Sequence, residues 1–133
     1  MGEIKKKLKI LIVDDDKLSR MLLAMRLEEL TEDLICATDG TDAIVSCRNN
    51  PDIDLIMMDL NMCDMDGYEA VRHIREFNEN VIIIAQTATD LSMEREKAIS
   101  CGFNDFVLKP VTGETVFNLI NKHSHIQTSI SRV

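Results

Sequence analysis

Asp14, Asp15, Asp59, Thr87 and Lys109 supply three carboxylates, a hydroxyl and an ammonium, and each follows a short apolar run. Carboxylates brought close together repel one another at neutral pH unless protons or a cation offset their charge. A hard divalent cation is the simpler answer. Magnesium suits such a set, because it accepts a few carboxylate or carbonyl oxygens, keeps several waters and bridges to phosphate; calcium would need more ligands. A carboxylate can also act as a nucleophile toward phosphorus and form an acyl phosphate, provided that charge on the transferring group is neutralised. Asp59 fits that role, with Lys109 and Thr87 placed to oppose charge and to donate a hydrogen bond. Plainer alternatives exist for each residue. Asp14 and Asp15 would suit the positive end of a following helix, Asp59 could be a turn residue, and Lys109 before Pro110 could be an ordinary turn. Their common place at the ends of apolar runs is what favours the chemical reading.

The elements that must position them read as repeated βα units. Strands are predicted at Lys9 to Val13, Leu34 to Ala37, Ile53 to Met58, Val81 to Gln86 and Asp105 to Leu108. Their near-continuous apolar character points to a parallel sheet covered on both faces. Helices are predicted from about Leu18 to Leu30, Asp42 to Arg48, Tyr68 to Phe77, Leu91 to Ser100 and Glu114 to Lys122. In the first of these, Leu18, Leu22 and Met25 share one face, with Arg20, Glu28 and Glu29 toward solvent. Gly102 sits where a left-handed residue closes a helix, and Asn49-Asn50-Pro51 breaks another. If the strand order is 2-1-3-4-5, the first and third strands are neighbours and the carboxylates converge at the carboxyl rim of the sheet. Residues 1 to 7 read as a basic extension, 8 to 123 as one domain, and 124 to 133 as a tail or linker.

Composition narrows the field. A chain of 133 residues with 45% hydrophobic content can bury one core, and its formal net charge of -8 excludes an electrostatic footprint for nucleic acid. Lys5, Lys6, Lys7 and Lys9 read as a solvated, solubilising cluster. Cys36, Cys47, Cys63 and Cys101 form no CxxC pair and, with no secretory signal in front, read as reduced cytoplasmic thiols. No apolar run is long enough to cross a bilayer, so no membrane contact is expected. His73, His123 and His125 show no metal-ligand spacing, and Met57 and Met58 read as core filling.

The stretches Ile10 to Asp15, Asp54 to Met62, Met65-Asp66-Gly67, Gln86-Thr87-Ala88 and Leu108-Lys109-Pro110 resemble the receiver domains of bacterial response regulators. The resemblance covers about residues 8 to 123 and implies a flavodoxin-like, doubly wound sheet of five parallel strands with five helices. It implies that Asp59 accepts a phosphoryl group from a phosphohistidine, that Asp15 and Asp59 bind Mg²⁺ directly, and that Asp14 acts through water while Asn61 offers its backbone carbonyl. It further implies that Thr87 moves toward the phosphoryl group and Phe106 turns inward, changing the face made by the fourth helix, fifth strand and fifth helix. Phe106 lacks the hydroxyl of a tyrosine there. The Lys109-Pro110 bond is expected to be cis, and Cys63 stands where the family usually has proline. Arg95 to Ala98 and Gly102 to Phe106 are similar to receivers attached to hybrid histidine kinases. The implied partners are a histidine kinase or a histidine phosphotransfer domain, with a phosphorylation-linked dimer as a further expectation. The domain is expected to assist its own phosphorylation and dephosphorylation without being an enzyme.

Three other functions compete, one of them a degenerate receiver acting only as an interaction module, against which the intact acidic rim argues. A magnesium-dependent phosphohydrolase would also use an aspartyl nucleophile, but Asn61 replaces the second carboxylate of its DxD opening. A flavin or nucleotide binder of the same fold would need a glycine-rich motif, and the five glycines are scattered.

Overall fold

The computed structural model describes residues 7–61, 67–88 and 95–123. The expectations for Lys5, Lys6, Met62, Cys63, Met65, Asp66, His125, the first turn of the fourth helix and residues 124 to 133 lie outside those residues.

The five strands are β1 (Leu8–Val13), β2 (Thr31–Ala37), β3 (Leu55–Asp59), β4 (Ile82–Thr87) and β5 (Asp105–Leu108). All pairings are parallel, and the order is β2-β1-β3-β4-β5. The helices are α1 (Lys17–Arg26), α2 (Gly40–Asn49), α3 (Gly67–Arg75), α4 (Arg95–Cys101) and α5 (Gly113–Lys122). Residues 55 to 59 and 82 to 87 are buried throughout, as strands covered on both faces must be. Side-chain alternation then divides the core in two. Ile10, Ile12, Leu55, Met57, Ile82 and Ile84 pack with Leu23 and Leu27 of the α1 end and with Val116, Phe117 and Ile120 of α5. Leu11, Val13, Ile56, Met58, Ile83 and Ala85 pack with side chains of α2, α3 and α4. Met57 and Met58 therefore fill opposite halves of the core.

Three expectations need correction. Helix α1 ends at Arg26, four residues early. Leu27 and Leu30 are both buried, and the tight turn closed by Leu30 N–H donating to the Leu27 carbonyl (2.8 Å) brings them under the sheet. Strand β2 then starts at Thr31 instead of Leu34, because the Thr31 hydroxyl donates to the Leu8 carbonyl at 2.7 Å. Its exposed Glu32 and Asp33 hide the strand from an apolar pattern while protecting a sheet edge.

The second correction concerns the α1 face. Leu18, Leu22 and Met25 do share a side, but it is the outer one: Leu18, Met21, Leu22 and Met25 are 62%, 53%, 41% and 65% exposed. Leu23 and Leu27 make the inward contacts. The third concerns Lys9, which is no solubilising residue. Its ammonium donates to Asn50 Oδ1 and Asp52 Oδ1, both at 3.0 Å, and lies 3.6 Å from Asp33, tying β1 to the loop before β3. Gly102 has φ +121°, as a left-handed helix terminator should, and the Lys109-Pro110 bond is cis. Among the described residues no helix is long and apolar enough to cross a membrane.

Candidate phosphoryl and metal site

The parallel order sets β3 between β1 and β4, with Val13 opposite Met58 and Asp59 opposite Gln86. Strand ends therefore deliver Asp14, Asp15, Asp59, Thr87 and Lys109 to one rim. One carboxylate oxygen from each of Asp14, Asp15 and Asp59 lies within 4.8 Å of the others. Asp14 and Asp59 are buried and Asp15 is exposed, so the cluster opens to solvent on one side. Helix α1 takes its cap from Asp16, whose carboxylate accepts the Ser19 N–H at 2.8 Å. Asp14 and Asp15 are thus not needed as the helix cap.

Hydrogen bonds hold the two buried carboxylates in place. Asp14 Oδ1 accepts the Asp16 N–H at 2.9 Å, and Asp59 Oδ1 accepts the Asn61 N–H at 3.0 Å. The Lys109 ammonium stands 3.2 Å from Asp14 Oδ2 and 3.6 Å from Asp59 Oδ2. Burial pushes the Asp59 carboxyl above its ordinary range; the Asn61 N–H and Lys109 pull it back, and Asp14 pushes it up again. Burial and the neighbouring Asp14 both disfavour the charged form of Asp59, and a cation held between these carboxylates would favour it. Among the described residues, the geometry and donor set fit a hard divalent ion.

Thr87 is buried, and its hydroxyl lies 3.4 Å from the Asn61 side-chain nitrogen. Phe106 is half-buried on β5, with the Arg95 guanidinium carbon 5.3 Å from its ring centre. It stands apart from the carboxylates, one strand beyond Thr87. Two contributors escape a reading by residue type. Arg20 of α1 donates to the Asp14 carbonyl at 2.8 Å, bracing the acidic loop from the helix it precedes. Asp105, at the start of β5, accepts from Lys122 Nζ at 3.0 Å and lies 3.2 Å from His123 Nε2. The helical spacing of Arg20 from Asp16 could have pointed inward; nothing local signals Asp105.

With this geometry in view, comparison with known proteins is decisive: the family model described as response regulator receiver domain matches residues 10–121. The chain belongs to the receiver domain family. The receiver is 44% identical over 108 residues to the sensor protein EvgS of Escherichia coli (strain K12), covering 80% of this chain and 9% of that protein. It is 36% identical over 107 residues to the sensor histidine kinase RcsC of the same strain, covering 80% of this chain and 11% of that protein. The receiver thus spans about a tenth of the length of these curated relatives. Among solved structures it is similar to a Saccharomyces cerevisiae complex of the histidine phosphotransfer signalling protein Ypd1 with the receiver domain of its downstream response regulator Ssk1. The match has TM-score 0.78 and 28% identity and covers 91% of each chain. The flavodoxin-like, doubly wound architecture and the two-component signalling class follow from these matches.

Proposed function

We propose that this receiver takes a phosphoryl group from a phosphohistidine onto Asp59, in a site that holds Mg²⁺ through Asp14, Asp15, Asp59 and the Asn61 carbonyl. The observation that carries this reading is the meeting of three carboxylates with the Lys109 ammonium at the open end of a parallel sheet. In the transfer, an Asp59 oxygen forms a bond to phosphorus as the phosphorus–nitrogen bond of the donor breaks. The electron pair returns to the imidazole, which takes up a proton. Lys109 opposes negative charge on the phosphoryl oxygens, and the Thr87 hydroxyl donates to one of them. The Asn61 N–H fixes the orientation of the Asp59 carboxylate before the attack, so less reorganisation is left to the transition state. Bound magnesium supplies positive charge for the phosphoryl oxygens. Hydrolysis of the acyl phosphate in the same site would let the domain limit its own signal.

The switch follows from the same residues. A phosphoryl anion at Asp59 gives the Thr87 hydroxyl a new acceptor, and space left by its movement is available to the ring of Phe106 on the adjacent strand. Two packings of the face made by α4, β5 and α5 would then be biased by one anion. A phosphorylation-linked dimer through that face is part of the same proposal.

The partner is a histidine kinase or a histidine phosphotransfer domain, in a cytoplasmic relay such as a hybrid kinase would contain. The exposed stripe Leu18, Met21, Leu22 and Met25 supports this, since it borders the rim and offers apolar contact to a partner's helices. The Ypd1 complex of a similar receiver is consistent with such a pairing. Mass spectrometry after treatment with a small phosphodonor and Mg²⁺ should show one added phosphoryl group. Asp59→Asn and chelation should each prevent it, and a phosphoryl group mapped to another residue would refute the assignment.

A further inference from the structure

Two of the three rim carboxylates are held by hydrogen bonds of their own, Asp14 by the Asp16 N–H and Lys109, and Asp59 by the Asn61 N–H. The third is held differently. Asp15 is exposed, and its carboxylate accepts no hydrogen bond from the described residues. Its direction is therefore set by the backbone that carries it, above all by the peptide unit that joins it to Asp14. That unit is planar, so fixing its carbonyl oxygen also fixes the N–H from which Asp15 starts.

Only one contact fixes that oxygen. The β1 ladder with β2 ends at Val13, and the Asp14 N–H makes the last backbone bond, to the Ala37 carbonyl at 3.1 Å. On the other side, Asp16 caps α1 and its carbonyl accepts the Arg20 N–H at 3.0 Å. Between these two anchors, no backbone N–H of the described residues donates to the Asp14 carbonyl. Arg20 does so instead, reaching back six positions from α1 to place Nη1 at 2.8 Å. A guanidinium suits the task, because it keeps its donors at every working pH and offers them in a rigid plane.

We propose that Arg20 is a positioning residue for the magnesium site: by pinning the Asp14 carbonyl it holds the Asp14–Asp15 peptide unit so that the Asp15 carboxylate faces the ion. The inference rests on the magnesium reading of the rim, and it assigns part of the site's affinity to a residue that does not touch the metal. Outer groups that orient a ligand in advance raise affinity for the ion. Charge works the other way, since a cation beside an acidic cluster opposes the entry of a second cation. Loss of Arg20 should therefore weaken Mg²⁺ binding if it positions Asp15 and strengthen it if it contributes charge alone.

Mg²⁺ is titrated into the ¹⁵N-labelled 133-residue chain and followed by the backbone amides of the rim. Arg20→Met keeps an unbranched stem but removes the donors and the charge, and should bind Mg²⁺ on the order of tenfold more weakly than the parent. Arg20→Lys keeps the charge and a shorter donor, and should fall between the two. Lys17→Met removes an exposed cation from the first turn of the same helix and should bind at least as tightly as the parent. In chelator, the Asp15 amide should shift in Arg20→Met while the amides of β4 stay in place. With a small phosphodonor, Arg20→Met should react slowly at limiting Mg²⁺ and at the parent's rate at saturation. Arg20→Met that binds Mg²⁺ as tightly as the parent overturns the proposal, as does an Arg20→Lys no better than Arg20→Met, an equal loss in Lys17→Met, or a slow reaction that persists at saturation. Should Arg20→Met not fold, Arg20→Lys alone must still bind more weakly than the parent, and equal affinity overturns the proposal. A parent with no saturable response to Mg²⁺ overturns the magnesium reading and this inference with it, whereas a parent that binds beside variants that equal it removes only Arg20.

Discussion

Asp59 carries two demands that oppose each other. It must be sunk deep enough for its oxygen to be held by the Asn61 N–H, and burial beside Asp14 makes its negative charge unfavourable. Removing that charge should therefore stabilise the metal-free fold. Asp59→Asn is expected to gain about 1 kcal/mol in chelator, or roughly 2–5 °C in melting temperature, measured by thermal unfolding. Millimolar Mg²⁺ should reverse the order. The parent should gain stability from binding that the folded state alone can offer, whereas Asp59→Asn and Asp15→Asn should gain little; equal gains by all three would remove the metal from this cluster. The meeting of Asp14, Asp15, Asp59 and Lys109 at one rim was legible in the sequence because each stands at the end of an apolar run, so locating the strand locates the side chain. Arg20 and Asp105 were not legible in this way. Their roles depend on which element lies across from them, and residue type alone assigns Arg20 to solvent.

Helix α1 shows how an element can be read correctly in type and wrongly in orientation. Its apolar residues occupy nearly the whole circumference, so periodicity identifies a helix without saying which stripe is inward. Contact with Ile10, Ile12 and α5 selects Leu23 and Leu27, and the wider stripe from Leu18 to Met25 remains outside. The early end of the helix has the same origin, since burial of Leu27 and Leu30 requires a turn that helical continuation would not give. An outward apolar stripe that contributes nothing to the core should tolerate charge. Leu22→Glu is expected to change stability by no more than about 0.5 kcal/mol, to leave phosphorylation by a small donor intact, and to slow transfer from a phosphorylated histidine domain. Equal rates for parent and variant with the protein donor would place the docking surface elsewhere. The inward side of the same helix is intolerant where it meets α5. Gly113→Ala forces a methyl group against the Arg26 carbonyl oxygen, and a loss of about 1–3 kcal/mol in chemical denaturation is expected from that overpacking.

Across the whole molecule, the order β2-β1-β3-β4-β5 leaves β5 at an edge, held by a single neighbouring strand. An edge strand with one ladder partner needs further contacts to hold it, and Asp105 provides them at its first residue. The Asp105 carboxylate accepts from the Phe106 N–H at 2.9 Å and from Lys122 at 3.0 Å, and faces His123 at 3.2 Å, joining β5 to the last turn of α5. Burial alone would raise its pKa, but these hydrogen bonds and the Lys122 charge outweigh it and hold the carboxyl below its ordinary value. The sign of the pH dependence follows. A carboxyl whose folded pKa lies below its unfolded value of about 3.9 stabilises the fold above that value, and the contribution is lost as pH falls through the folded one. Asp105→Asn should therefore destabilise the domain by about 1–3 kcal/mol at neutral pH. The deficit should shrink in acid, because the parent loses there what the variant never had. Denaturant midpoints for parent and variant between pH 7 and pH 2 test this: the two curves should converge on the acid side, and a constant separation would mean that Asp105 holds β5 by shape and not by charge.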